Sequence, residues 1–217
     1  MPASGKSNDA QYGGGYCDGN YVTGQGCAEF DLMEANSKAM VFTTHPCQSS
    51  GVQSGKDQCW ADGCGLNTYR LGDKNFWGSG SSYTVDTSKP VAVVTQFVAS
   101  SSGVLENIRR LYVQGGKVIE TPLLTVGGGE YNSVNDTYCK AAGANVDGYH
   151  SLSTMGESLA RGHVLVWSLW DSDDMGWLDG GNNGPCGSTS TSQIESQSGG
   201  QKVTISDLKF GDIDTTY

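Results

Sequence analysis

The chain has 217 residues, 32 of them glycine and only five proline, with a formal net charge of −10 and a pI near 4.5. So acidic a chain is a poor nucleic-acid binder, and no apolar run approaches the ~18 residues of a membrane-spanning helix. Its length suffices for one all-β domain with a sizeable core, and frequent glycine fits short strands and many turns better than long helices.

Residues 1–26 are polar and Gly-rich, with Gly13-Gly14-Gly15 and Gly24-Gln25-Gly26, and read as loop with one short strand near Tyr16. The stretch Glu29-Phe-Asp-Leu-Met-Glu-Ala-Asn36 then sets three carboxylates at i, i+2 and i+5 among apolar neighbours. Acidic residues rarely interrupt an apolar strand. On a strand Glu29 and Asp31 share a face, whereas Glu34 has the opposite parity. Joining the other two requires one extra residue, so a bulge is expected near Leu32-Met33, as is common beside active sites. The plainer alternative is a charged strand edge or a structural carboxylate network.

Lys38–Thr44 is a β-branched and aromatic run expected to pair antiparallel with the carboxylate strand, ending at His45-Pro46-Cys47. Residues 48–81 form a long turn-rich excursion carrying Cys59 and Cys64, a length usually associated with function. Strands are expected again at Ser82–Val85, Val91–Val98, Val104–Val113 and Lys117–Thr121, with Val91–Val98 apolar enough for a central strand. Residues 122–150 read as irregular, and Asn135-Asp136-Thr137 is a glycosylation triplet. Ser153–Arg161 is the one clear helix, with Ser153 as N-cap and Gly162 as stop. His163–Trp170 and Lys202–Phe210 read as strands flanking a polar loop region. The pattern predicts an all-β sandwich or barrel with one or two short helices.

The seven cysteines contain no C-x-x-C pair, and the three histidines are isolated, so no metal or cofactor is expected. Scattered cysteines in such a chain suggest disulfides and secretion. No signal peptide follows Met1, and the odd count leaves one cysteine without an intrachain partner. Both fit a chain that begins partway through a longer secreted protein.

Two carboxyls on one bent strand suit glycoside hydrolysis, where a retaining enzyme holds them about 5–5.5 Å apart. Asp31, lying between, is expected to hydrogen-bond Glu29, and the two charges to raise the pKa of Glu34. His45 ends the neighbouring strand and is either a support for proton transfer or a turn residue. Trp170 and Trp177 bracket a polar loop, where they would stack on sugar rings, whereas Trp167 reads as core. Trp60 and Trp77 fit either role. Arg70 is a lone loop cation, a partner for sugar hydroxyls or for a surface acid.

These residues resemble glycoside hydrolase family 7, the fungal-type cellulases. Glu29–Asn36 is similar to that family's E-x-D-x-W-E-A-N, with Met33 at the usual Trp position. Gly15-Tyr-Cys-Asp18 resembles G-Y-C-D, Thr44-His-Pro-Cys47 resembles T-P-H-P-C, and Asp62–Gly72 resembles D-G-C-D-W-N-P-Y-R-L-G. Ser168–Asp171, Trp177–Asp179, Glu195–Ser198 and Lys209–Gly211 follow in the family's order. The resemblance implies a concanavalin-like (jelly-roll) antiparallel β-sandwich and retaining hydrolysis of β-1,4-glucan without a cofactor.

It further implies Glu29 as nucleophile, Glu34 as acid/base, Asp31 as assisting carboxylate and His45 beside the acid/base. Trp170, Trp177, Arg70 and Tyr16 fall on the substrate side. The implied disulfides are Cys17–Cys27, Cys47–Cys59 and Cys64–Cys139, with Cys186 left over. Family members are roughly twice this long, so the chain looks like the C-terminal half of one catalytic domain, incomplete as a sandwich and monomeric. The short Trp177–Cys186 segment resembles the endo-acting branch. The competing readings are a cellobiohydrolase of the same family, a β-1,3(4)-glucanase, and a glucan-binding or inactive fragment.

Overall fold

The computed structural model describes residues 16–188, 190–197 and 202–217; the expectations for Gly13-Gly14-Gly15 and for Ser198 lie outside them. The carboxylate stretch forms β1 (Glu29–Ala35) and the β-branched run forms β2 (Met40–His45). They pair antiparallel with Glu29 opposite His45, Asp31 opposite Thr43 and Glu34 opposite Val41. Three steps along β1 therefore face two along β2, and the bulge falls between Asp31 and Glu34 as the side-chain parity requires. β3 (Cys64–Leu66) adds to the other edge of β2. As the middle strand, β2 is buried along its whole length.

β4 (Trp77–Gly78) and β5 (Val85–Asp86) make a short parallel pair, so only the end of the expected Ser82–Val85 strand forms. β6 (Ala92–Ala99), β7 (Leu105–Gln114) and β8 (Lys117–Glu120) run as an antiparallel meander. β9 (Leu124–Val126) and β10 (Gly129–Tyr131) form a hairpin, and β11 (Ser133–Val134) joins β7 along the edge it shares with β8. The hub is β7. β6, expected to be central, pairs on one side only among the described residues and is half-exposed.

The β1–β2–β3 sheet and the β7-centred sheet close over one core that includes Phe42, Leu66, Phe76, Val85, Ile108 and Tyr112. The Tyr112 ring meets Phe76 edge-on at 5.4 Å and Trp77 at 5.7 Å. Both Trp60 and Trp77 are buried. Three disulfides, Cys17–Cys27, Cys47–Cys59 and Cys64–Cys139, pin the loops, and Cys186 is free. All follow the pairing that the family resemblance implies.

Among the described residues four short helices form, more than the one or two expected: α1 (Asp136–Ala141), α2 (Leu152–Ala160), α3 (Gly176–Asp179) and α4 (Thr191–Glu195). Three of them are too short for hydrophobic periodicity to register. α2 is the expected helix, but its N-cap is Ser151, whose hydroxyl accepts from the Thr154 N–H; Ser153 lies inside. Gly162 takes φ +92° just past its end, as a stopping glycine does.

Near Tyr16 the chain forms no strand; an isolated bridge joins Asp18 to Gly26 instead. His163–Trp170 and Lys202–Phe210 are not strands either. Their apolar side chains are exposed, Trp167 at 57% included, which corrects its expected place in the core. A strand needs a neighbour to satisfy its N–H and C=O groups, and no described segment pairs with these two.

Candidate active site

The bulge decides which carboxylates meet. Glu29 accepts from the Gly19 N–H at 3.0 Å and from the Tyr16 hydroxyl at 3.3 Å. Burial and then the Asp31 charge raise its pKa, while the Gly19 N–H and His45 pull it down. Tyr16 is held as a phenol donor, its pKa raised first by burial and then by the charge of Glu29.

His45 is anchored at both nitrogens, with Nδ1 2.9 Å from the Trp60 carbonyl and Nε2 3.1 Å from Asp31 Oδ2. A carbonyl and a carboxylate only accept, so both nitrogens carry protons and the ring is an imidazolium. Burial opposes that charge, but the hydrogen bond and charge of Asp31, with the Trp60 carbonyl, lift the pKa to about 9. Two glycines make room for the ring. A Cβ on Gly19 would come within 2.8 Å of His45 Cβ. One on Gly63, whose φ of +60° favours glycine in any case, would come within 2.6 Å of Nδ1.

One expectation is corrected here. Asp31 hydrogen-bonds His45 rather than Glu29. His45 lies opposite Glu29 in the ladder and against Asp31, and its charge also acts on Glu34 across the bulge. Glu34 itself is lifted to about 7, first by burial, then by Asp31 and Glu29, with His45 opposing. The sequence anticipated the charge contribution, but burial is the larger cause. Glu29, Asp31 and His45 hold ligand-type atoms within 4.8 Å of one another. With both imidazole nitrogens donating, the trio is an electrostatic cluster; a cation would have to displace a proton from His45.

Arg110 on β7 was not anticipated. It is 1% exposed, its Nη2 donates to the Leu32 carbonyl within the bulge, and its guanidinium lies 4.5 Å from the centre of the Phe42 ring. Its Nε and Nη1 have no hydrogen-bond partner among the described residues, and burial lowers its pKa to about 10. The second sheet thus supplies a donor for a carbonyl that the broken ladder leaves free. Nothing local in Ile108–Tyr112 signals this, because the contact spans 78 residues.

At the other end of β1, Asn36 Nδ2 donates to Asp179 Oδ2 at 2.6 Å, and Trp77 Nε1 donates to the Asn36 carbonyl at 2.9 Å. Asp179 ends α3, which carries Trp177. The rings of Trp170 and Trp177 form an edge-to-face pair at 6.2 Å and are 59% and 40% exposed. Two open aromatic faces are thereby tied to the carboxylate strand. Arg70 is exposed and donates to the Gly65 carbonyl at 2.9 Å. Gly65 shares a rung with Thr43 and Asp31, which sets its backbone about 10 Å from Asp31 at the usual strand spacing.

Residues 18–217 match the profile of glycosyl hydrolase family 7. The chain is 42% identical over 233 aligned residues to a probable endo-beta-1,4-glucanase celB of Aspergillus clavatus, covering 96% of this chain and 55% of that protein. Among solved structures, the native Humicola insolens endocellulase EGI superposes with a TM-score of 0.75 at 38% identity, over 86% of this chain and 53% of that one. A family-7 cellobiohydrolase from Daphnia pulex superposes with a TM-score of 0.76 at 31% identity, over 86% and 57%. The chain spans about half the length of the curated relatives it matches. Its strands are thus part of the family's jelly-roll β-sandwich, and the chain belongs to glycosyl hydrolase family 7.

Proposed function

We propose that this chain is one partial catalytic domain of a secreted, monomeric, retaining endo-β-1,4-glucanase acting on cellulose and related glucans. Glu29 attacks the anomeric carbon while Glu34 delivers its proton to the leaving glycosidic oxygen. The resulting Glu29–glycosyl ester is hydrolysed by a water that Glu34, now a carboxylate, deprotonates. Asp31 and the His45 imidazolium keep a fixed charge pair beside the nucleophile, and the Tyr16 and Gly19 donors orient it. Trp170 and Trp177 bind sugar rings, with Arg70 contributing at the margin of the cleft. Cleavage is internal because Trp177–Cys186 and Gln48–Gln58 are too short to roof the groove. The three disulfides and the family suit an extracellular enzyme.

The observation that carries this reading is the pair of partly buried glutamates astride one bulge: Glu34 is lifted to about 7, and Glu29 receives two hydrogen bonds that require an acceptor. The test is hydrolysis of carboxymethyl-cellulose against laminarin, with cellulose binding titrated in parallel. Turnover of the first, abolished in Glu29→Gln, is expected. Preference for laminarin would indicate a β-1,3(4)-glucanase. The exposed apolar side chains of His163–Trp170 favour a second reading, a chain that binds glucan without cleaving it. Binding with no turnover would select it.

A further inference from the structure

Asn135-Asp136-Thr137 is the only Asn-x-Ser/Thr triplet in the chain, and the active-site reading does not use it. Asn135 is the N-cap of α1, with its Oδ1 accepting from the Tyr138 N–H at 2.8 Å. That bond occupies the oxygen and leaves Nδ2 without a partner among the described residues, though not sealed from solvent. Glycosylation substitutes Nδ2 alone, so the cap survives it. Thr137 is exposed. Beside Asn135 lies an open groove of about 600 Å³ bordered by Asn107, Arg109, Tyr131, Thr137 and Ser153. Asn107 Oδ1, on its border, is a buried acceptor with no hydrogen-bond partner among the described residues. The Tyr131 ring among hydrogen-bonding side chains, Glu106, Arg109 and Asp136 included, is a lining that the ring, hydroxyls and amide of a sugar can meet.

We infer that Asn135 carries an N-linked glycan whose first N-acetylglucosamine seats in this groove. In the transfer, Asn135 Nδ2 bonds to C1 of the sugar of a lipid-linked oligosaccharide diphosphate. The C1–O bond breaks, the lipid diphosphate leaves with the electron pair, and the transferase base takes the Nδ2 proton. Transfer needs passage through a secretory compartment, which rests on the extracellular placement proposed above.

The test supplies that passage. The full chain is expressed behind a secretory leader in yeast, and both cell-associated and secreted chains are followed by immunoblot and intact mass, so that retained protein still reports. A mass loss on endoglycosidase H digestion is expected for the wild type. It should be absent in Thr137→Ala, which keeps the Asn135 cap, and restored in Thr137→Ser. Seating predicts that the native protein is cleaved at least tenfold more slowly than the denatured one, and that Asn107→Ala narrows the gap. No mass loss in the wild type, or an undiminished loss in Thr137→Ala, would overturn the site. Equal rates for native and denatured protein would overturn the seating. None of these readouts involves glucan hydrolysis, so failure of the enzymatic reading would not imitate failure of this one.

Discussion

Replacing Asp31 by Asn should lower the pKa of Glu34 without returning it to that of a solvated carboxyl. Glu34 stands at about 7 against an ordinary 4.5. Each pH unit changes the protonation ratio tenfold, so at pH 6 about ten Glu34 groups are protonated for each one ionised, against about one in thirty for an ordinary glutamate. Burial is the largest cause and persists in the variant; the Asp31 charge ranks second. A partial fall follows, because the burial that contributes most is unchanged. One compensation limits it. His45 loses the negative charge at Nε2, though an amide oxygen can still accept there, so its own pKa drops from about 9, and wherever it deprotonates, a cation that lowers Glu34 disappears. The full shift should therefore be seen while His45 is still charged. The assay is a ¹³C titration of side-chain carboxyls in wild type and Asp31→Asn, with Glu34→Gln assigning the resonance. An unmoved or raised midpoint would refute the electrostatic coupling. A wild-type midpoint near 4.5 would refute the desolvation of Glu34 itself.

Acid should stabilise the fold over a defined window. Glu34 (4.5 to about 7) and His45 (6.5 to about 9) both have raised folded-state pKa values, so the native state binds their protons more tightly. Each contribution is complete below the unfolded value and lost through the folded one. Tm should fall as pH rises from about 5 to 9, and a flat or rising Tm would contradict both. Removing Cys64–Cys139, which bridges 75 residues, should cost about 4.5 kcal/mol on loop entropy, against about 3 kcal/mol for Cys47–Cys59 with its separation of 12. Denaturant melts of the two double-Ala variants compare them. Trp170→Ala, at an exposed site, should change stability by no more than about 0.5 kcal/mol. It should weaken cello-oligosaccharide binding by roughly tenfold, the loss of about 1.4 kcal/mol of aromatic contact. Calorimetric titration separates the two effects.

The carboxylate parity at Glu29, Asp31 and Glu34 was readable because side-chain direction on a strand has a period of two. Any arrangement that joins all three must insert a residue, and the bulge between Asp31 and Glu34 does so. The three disulfides came from motif resemblance rather than from spacing, since cysteine positions alone leave many pairings open. The N-caps at Asn135 and Ser190 carry a local signal, the Ser190–Gln193 pair being a capping box, but the helices they start are too short for periodicity to separate them from loop. His163–Trp170 failed in the opposite way. Its β-propensity is high, but propensity does not form a ladder without a neighbouring strand.

By itself, then, the sequence determined an acidic, turn-rich all-β chain with three carboxylates meeting at a bulge, because composition and parity are local properties. The tertiary structure alone decided that His45 pairs with Asp31, and that Arg110 reaches the Leu32 carbonyl. It also decided that burial more than charge lifts Glu34. Each of these depends on which surfaces the two sheets exclude from water and which strand faces which, and those are relations between segments distant in the chain.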